Sequence, residues 1–218
     1  MRGRKGGRIQ ELLREAEAKR VPVLFKKKDE FERFFPGINH QGIALLADQF
    51  PYTSIEHILE IWSAEQGYGL IVAADHITDE GNLGALMRTA AFFGAHGLVL
   101  PKDRSAGLSV RVRKISSGGY AHLPVARVVN LARTLEILKK QGLWIIGAAE
   151  EAHETIYGFD WKRDLVIVVG SEDRGLSRSV RARCDHLVSV PSRGSVNSLN
   201  VSVAAGIIFS EIFRQRMD

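Results

Sequence analysis

From Leu70 onward, short uninterrupted apolar runs alternate with stretches whose apolar positions recur at helical spacing. The runs are LIVAAD (70–75), GLVLP (97–101), LWIIGAA (143–149), LVIVVG (165–170) and HLVSVP (186–191). Helices are predicted between them over 82–93, 107–117, 130–141 and 176–183, with a last one over 200–216. A strand that is apolar without alternation is buried on both faces. The pattern therefore predicts an α/β fold with a mostly parallel sheet covered by helices on either side. In open sheets of this kind ligands lie beyond the carboxyl ends of the strands, so the segments that follow each strand are where chemistry is sought.

Before Leu70 the pattern is less regular. RIQELLREAEAKR (8–20) reads as a helix with Ile9, Leu12, Leu13 and Ala16 on one face, and VPVLF (22–26) and QGIALLA (41–47) read as strands. Three regions result: a small α/β piece over 1–50, a linker containing a short helix over 51–68, and the main domain over 69–218.

Charge adds one feature to this layout. Residues 1–30 hold ten basic and five acidic side chains, a surplus equal to that of the whole chain, which has 30 Lys and Arg against 25 Asp and Glu. A locally basic arm is either an electrostatic footprint for nucleic acid or a solvated tail. No apolar run reaches the roughly 20 residues of a membrane span. The N-terminus lacks the apolar core of a secretory signal, and Cys184 is the single cysteine. A cytoplasmic location, without membrane contact, is expected. The seven histidines are scattered, without zinc-binding spacing, so no metal site is expected.

Three loops stand out. After the strand at 70–75, Asn82 can cap the next helix, Gly84 leaves room for close approach to its first turn, and Arg88 follows four residues later. After the strand at 165–170, GSEDRGL places Glu172 between Gly170 and Gly175, without the G-x-G-x-x-G or G-K-[ST] signature of a dinucleotide or phosphate loop. After the strand at 186–191, Asn197, Ser198 and Asn200 crowd around Leu199 where a helix should begin, and one capping group would suffice. An apolar side chain flanked by amides and hydroxyls suits a flat heteroaromatic ligand such as adenine. Taken singly, the first loop is also explained as a capped surface helix and the second as a structural turn.

At these loops the sequence resembles the SpoU (TrmH-type) RNA 2′-O-methyltransferases of the SPOUT superfamily. The segments that carry the resemblance are DEGNLGALMRTA (79–90), GSEDRGL (170–176) and SVNSLNVSVAAG (195–206), in the family's order and at strand ends. The phrases NHQGIAL, LPKDRSAG and NLARTLEILK are similar to the branch that methylates a guanosine ribose in bacterial 23S ribosomal RNA. The resemblance covers roughly 40–216. It implies a Rossmann-like domain whose C-terminal part forms a deep trefoil knot, S-adenosylmethionine as cofactor against Gly170, Val190 and Leu199, and a homodimer with the active site near the subunit interface. It also implies catalytic or supporting roles for Asn82, Arg88, Glu172, Ser198 and Asn200. Glu80 departs from the proline usual after the first motif's aspartate, and the N-terminal piece is short beside the branch's RNA-binding domain.

Methyl transfer from a sulfonium requires no metal, only an in-line ribose oxygen and a route for its proton. Neutral arginine costs roughly 7–9 kcal/mol to populate at pH 7. A charged Arg88 that holds RNA phosphate and stabilises a developing alkoxide is therefore preferred to a base. Glu172 is expected to orient that arginine. Arg104, Arg111, Arg113 and Lys114 are expected to contact phosphate alongside the basic arm. A tRNA methyltransferase of the same family and a non-catalytic RNA-binding protein on this fold are the alternative readings.

Overall fold

A computed structural model describes residues 3–37, 40–46, 50–195 and 198–217. It divides into two compact units, Met1–Gln49 and Phe50–Asp218.

The first unit holds helix α1 (Gly3–Ala18) and helix α2 (Lys28–Phe34). Segment 22–26 and the described part of 41–47 are not strands. No strand is formed among the described residues of this unit, so neither apolar run has a ladder to join. The unit is held by local contacts. Val21 N–H returns to the Ala16 carbonyl at 2.8 Å, the Glu30 carboxylate accepts from Lys27 N–H at the start of α2, and the Phe31 ring lies 4.7 Å from the His40 ring. No described residue in it is buried, and Phe25 and Leu46 are more than four-fifths exposed.

The second unit opens with helix α3 (Ile55–Ala64) and continues through β1 (Leu70–Asp75), α4 (Glu80–Phe92), β2 (Gly97–Pro101), α5 (Val110–Ile115), a 3-10 turn over Gly119–Ala121, β3 (Val125–Val128), α6 (Leu131–Lys140), β4 (Trp144–Ala148) and β5 (Glu154–Thr155). Strand β6 (Leu165–Gly170), helix α7 (Arg178–Arg181), strand β7 (His186–Ser189) and helix α8 (Val201–Met217) complete it. The segment expected as a linker belongs to this unit. Thr53 bridges Ala126 at the β3 edge, the Tyr52 hydroxyl accepts from Leu108 N–H at 2.8 Å, and Ile58 of α3 is fully buried. Gly97 admits that helix, because a Cβ there would lie 2.6 Å from Ile58.

The sheet is parallel throughout, in the order β3-β2-β1-β6-β4-β7-β5. β3 and the two-residue β5 lay outside the predicted strands. Strand side chains alternate between two cores. Leu70, Val72 and Ala74 of β1 and Leu165, Ile167 and Val169 of β6 pack beneath α4, α5 and α8. Ile71, Ala73, Val166 and Val168 pack beneath α3, α6 and α7. Both faces are thus covered, the physical reason these strands read as unbroken apolar runs. β6 enters between β1 and β4, and α8 returns from β7 to pack on α4. Arg216 fastens the far end of α8 by donating to the carbonyls of Tyr68, Gly69, Trp161 and Arg163.

Candidate active site

β1 and β6 are neighbours in register, with Asp75 beside Gly170 at their carboxyl ends. The loops that leave these strands therefore start side by side. Asp79 caps α4, its carboxylate accepting from Asn82 N–H at 2.7 Å. This corrects the expectation that Asn82 is the cap. With capping done by Asp79, the Asn82 side chain is free for other bonds, and it makes one. Asn200 Nδ2 donates to Asn82 Oδ1 at 2.8 Å and to Glu172 Oε1 at 2.6 Å. Asn200 Oδ1 meanwhile accepts from Ser202 N–H at 3.0 Å and from the Ser202 hydroxyl at 2.6 Å, in the first turn of α8. One amide thus caps a helix with its oxygen and joins two other loops with its nitrogen. Glu172 Oε1 also faces Val201 N–H at 3.4 Å. The carboxylate accepts from Asn200 and the start of α8, in place of the expected contact with Arg88.

Of the remaining expected residues, Arg88 is exposed and has no ion pair or side-chain hydrogen bond among the described residues. The turn at Gly119 packs against its backbone, with a Cβ at Gly119 only 3.1 Å from the Arg88 Cα. Gly84 admits α5, because a Cβ there would lie 2.7 Å from Ile115. The close approach that Gly84 permits is that of α5. Ser198 is exposed, Leu199 is 48% exposed, and Val190 is half-buried against the α4 and α8 core. Asn197 lies outside the described residues. Gly170 passes so close to the Gly175 backbone that a Cβ would sit 2.2 Å from it. Gly175 has φ +60°, and Ser171 and Gly175 exchange backbone hydrogen bonds that close the loop carrying Glu172.

Asp75 is a buried neighbour of these loops that the sequence did not single out. It is 1% exposed, accepts from Ser177 N–H at 2.6 Å and lies 2.6 Å from His76 Nδ1. A carboxylate buried at this depth is tolerated only when hydrogen-bonded, and here the bonds clamp the far end of the Glu172 loop to β1. The signal was an acidic residue closing an otherwise apolar strand. Cys184 is set apart from this chemistry: burial pushes its thiol up to about 11. Among the described residues, no group of three or more His, Cys, Asp or Glu could hold a metal, and no helix is long and apolar enough to cross a membrane.

Comparison with known proteins bears on this site. The SpoU rRNA Methylase family profile matches residues 69–210, and a profile for RNA 2′-O ribose methyltransferase substrate binding matches residues 2–53. The chain is 41% identical to the 23S rRNA (guanosine-2′-O-)-methyltransferase RlmB of Pseudomonas aeruginosa, over 98% of this chain and 86% of that protein. It is 36% identical to a TrmH family tRNA/rRNA methyltransferase, YacO, of Bacillus subtilis, over 96% of this chain and 84% of that one. The crystal structure of the SpoU methyltransferase AviRb from Streptomyces viridochromogenes in complex with AdoMet superposes with a TM-score of 0.69 at 29% identity, covering 77% of this chain and 66% of that one. With family motifs, fold and loop geometry in agreement, this chain belongs to the SpoU rRNA methylase family.

Proposed function

We propose that this protein transfers a methyl group from S-adenosylmethionine to the 2′-oxygen of a guanosine ribose in 23S ribosomal RNA. The observation that carries the reading is the Asn200 amide joining Asn82 and Glu172, because it draws the three family motifs to one place at the strand ends. The relatives that share 39–41% identity over nearly the whole chain and are named for 23S rRNA guanosine methylation support the choice of substrate.

The residues present fit the cofactor. Leu199 offers an exposed apolar face beside polar neighbours, Gly170 ends β6 and Val190 directly follows β7, so backbone groups there can meet an adenine edge. S-adenosylmethionine, when bound, supplies an electrophilic methyl group on a sulfonium. The protein's own residues do the rest. Arg88, exposed and uncommitted to any described partner, holds an RNA phosphate and stabilises negative charge developing on the ribose oxygen. The ribose proton leaves through that phosphate or a water. Glu172 and Asn82 hold Asn200, and Asn200 holds the start of α8, so that Ser198 and Leu199 are presented together at the cofactor and ribose. The basic arm supplies phosphate contacts that position RNA without reading its sequence.

Three further readings go with this one. The chain after β7 threads the loop that follows β6 to form a trefoil knot, in keeping with the insertion of β6 between β1 and β4. Two copies pair, for which the half-exposed Val203 and Phe213 of α8 provide an apolar surface. The compartment is the cytoplasm, in keeping with one free cysteine. The test is direct: incubate 23S and tRNA transcripts with methyl-labelled cofactor and map the modified ribose. A 2′-O-methylguanosine in the 23S transcript is expected. Methylation confined to the tRNA, or cofactor binding without transfer to either RNA, overturns the reading.

A further inference from the structure

A cavity of about 250 Å³ lies at the carboxyl ends of β1, β2 and β3 beside the start of α7, and none of Asn82, Arg88, Glu172 and Asn200 lines it. Pro101, Leu131 and Val180 give it buried apolar walls. Asp103 and Arg104 are exposed side chains on its border, and neither makes an ion pair among the described residues. Two of its lining residues hold backbone that L-residues seldom adopt, His76 at φ +59° and Arg104 at φ +51°. Strain of this kind persists only where the surroundings enforce it, and it gathers at ligand sites. Ser177 also lines the cavity, and its hydroxyl is buried without a hydrogen-bond partner among the described residues. A buried group left open in this way calls for an account.

A lining that sets apolar faces (Pro101, Leu131, Val180) beside polar groups (Asn130, Ser177, Ser179) suits a flat heteroaromatic ring better than a bare anion, and the Asp103 carboxylate opposes a phosphate. The adjacent pair of opposite charges selects among rings. A carboxylate accepts from neighbouring N–H donors, as on the N1 and N2 edge of guanine. A guanidinium donates in a fork to O6 and N7 of the same base. Adenine and the pyrimidines lack that combination. Unpaired bases of RNA are the ones whose edges proteins read. We propose that this cavity is a guanine subsite, in which Asp103 and Arg104 read an unpaired guanine of the RNA while the walls cover its faces. The proposal rests on the RNA methyltransferase reading and gives Arg104 a role beyond phosphate contact. The cavity shares its His76 and Ser177 walls with the loops that carry Asn82 and Glu172. Occupation would therefore bear on the same loops through Asp75, which holds both His76 and Ser177.

The experiment uses the full chain and the transcript it methylates, with guanines near the modified ribose replaced one at a time by inosine, which lacks the N2 amino group. Asp103→Asn keeps size, and Arg104→Gly keeps the left-handed backbone accessible. Each variant is expected to raise the KM for RNA on the order of tenfold, within the range of one bidentate base contact, with kcat, cofactor affinity and melting temperature unchanged. Inosine at one position should raise KM in the wild type and add nothing in Asp103→Asn. That position tells whether the base read is the target's own or a neighbour's. Wild-type KM in both variants overturns the proposal, as does an inosine penalty that persists undiminished in Asp103→Asn. An Arg104→Gly defect that is the same whichever base occupies every position marks a phosphate contact and also overturns it. If the wild type methylates neither RNA, the functional reading has failed and the cavity is judged alone by saturation-transfer NMR. GMP signals absent from AMP and lost in Asp103→Asn then support the subsite, and equal or missing signals reject it.

Discussion

The Asn200 amide offers the sharpest test of how the three loops are joined. Asn200→Ala removes both donations, to Asn82 and to Glu172, together with the acceptance from Ser202. These groups are exposed to solvent, so each lost bond is worth about 0.5–1.5 kcal/mol and none carries the penalty of a buried charge. The lost cap adds about 1 kcal/mol. A total of about 2–4 kcal/mol lowers the melting temperature of a unit this size by roughly 4–16 °C. Asn200→Asp separates the two functions. Its oxygens still cap α8, but it sets a second carboxylate against Glu172 and donates to neither partner. Like charge raises the folded-state pKa of one member of that pair. The destabilisation is therefore full at neutral pH and shrinks as pH falls through the raised value. Adding Glu172→Gln to Asn200→Asp lets the glutamine donate where the asparagine did, restoring the bond in reverse. Urea unfolding should place Asn200→Asp below wild type at pH 7 and return the double variant most of the way. Methyl transfer should fall on the order of 10²-fold in both single variants, as expected for a small misplacement of reacting groups. Wild-type stability and turnover in Asn200→Asp would refute the joining role, as would a double variant that is no better than the single.

Other consequences are open to measurement. Arg88→Lys should keep turnover within roughly tenfold of wild type while Arg88→Ala loses two orders of magnitude or more, because an ammonium retains the charge that stabilises an alkoxide. Abolished transfer in the lysine variant, with RNA binding intact by filter assay, would show that the planar guanidinium is needed. Asp75→Ala leaves Ser177 N–H without its buried acceptor, and a loss of about 2–3 kcal/mol in urea unfolding is expected; a loss below 0.5 kcal/mol would mean that the loop needs no clamp. RNA affinity should fall linearly on a log–log plot against salt, and a flat response would remove the basic arm from the interface. Cys184, with its thiol pushed up to about 11, should alkylate far more slowly at pH 8 in the folded protein than in urea.

The sheet was legible because burial on both faces leaves unbroken apolar runs, and β1, β2 and β6 emerged at their observed limits for that reason. β3 escaped notice because its four residues, VARV, include Arg127, whose guanidinium leaves the sheet edge to donate to the Lys102 carbonyl. VPVLF and QGIALLA misled in the opposite sense: β-prone composition reads as a strand whether or not a partner strand is present. At the site, the motif residues were visible, but their bonds were not. The choice between Asp79 and Asn82 as the cap turns on where α4 begins, and a helix boundary is the least certain feature of a pattern. Once Asp79 takes the cap, the pairing of Asn82 with Asn200 follows, across a separation of 118 residues that no local rule spans. Gly84 was legible as a point of close approach to α4, and what approaches it, Ile115 of α5, was not.

The site also explains why a parallel sheet is a suitable platform for it. Parallel register puts the carboxyl ends of β1 and β6 side by side, so two loops far apart in sequence leave the sheet at neighbouring points. The first loop spans 76–79 and the second 171–177. Asp75 closes one side by bonding Ser177 from the end of β1. Asn200 closes the other by bonding Asn82 and Glu172 from the start of α8. Glu172 thus sits on a segment clamped at both flanks, by a buried carboxylate and by an exposed amide. These two clamps differ in accessibility. The buried one is lost only when the unit unfolds, whereas the exposed one exchanges with water and can yield to a substrate that offers competing groups. Opening for the reactants should therefore begin at Asn200, with the Asp75 contact as the fixed point about which the loop moves. Hydrogen exchange can separate the two, because Ser177 N–H should exchange only with global unfolding and Val201 N–H should exchange much sooner.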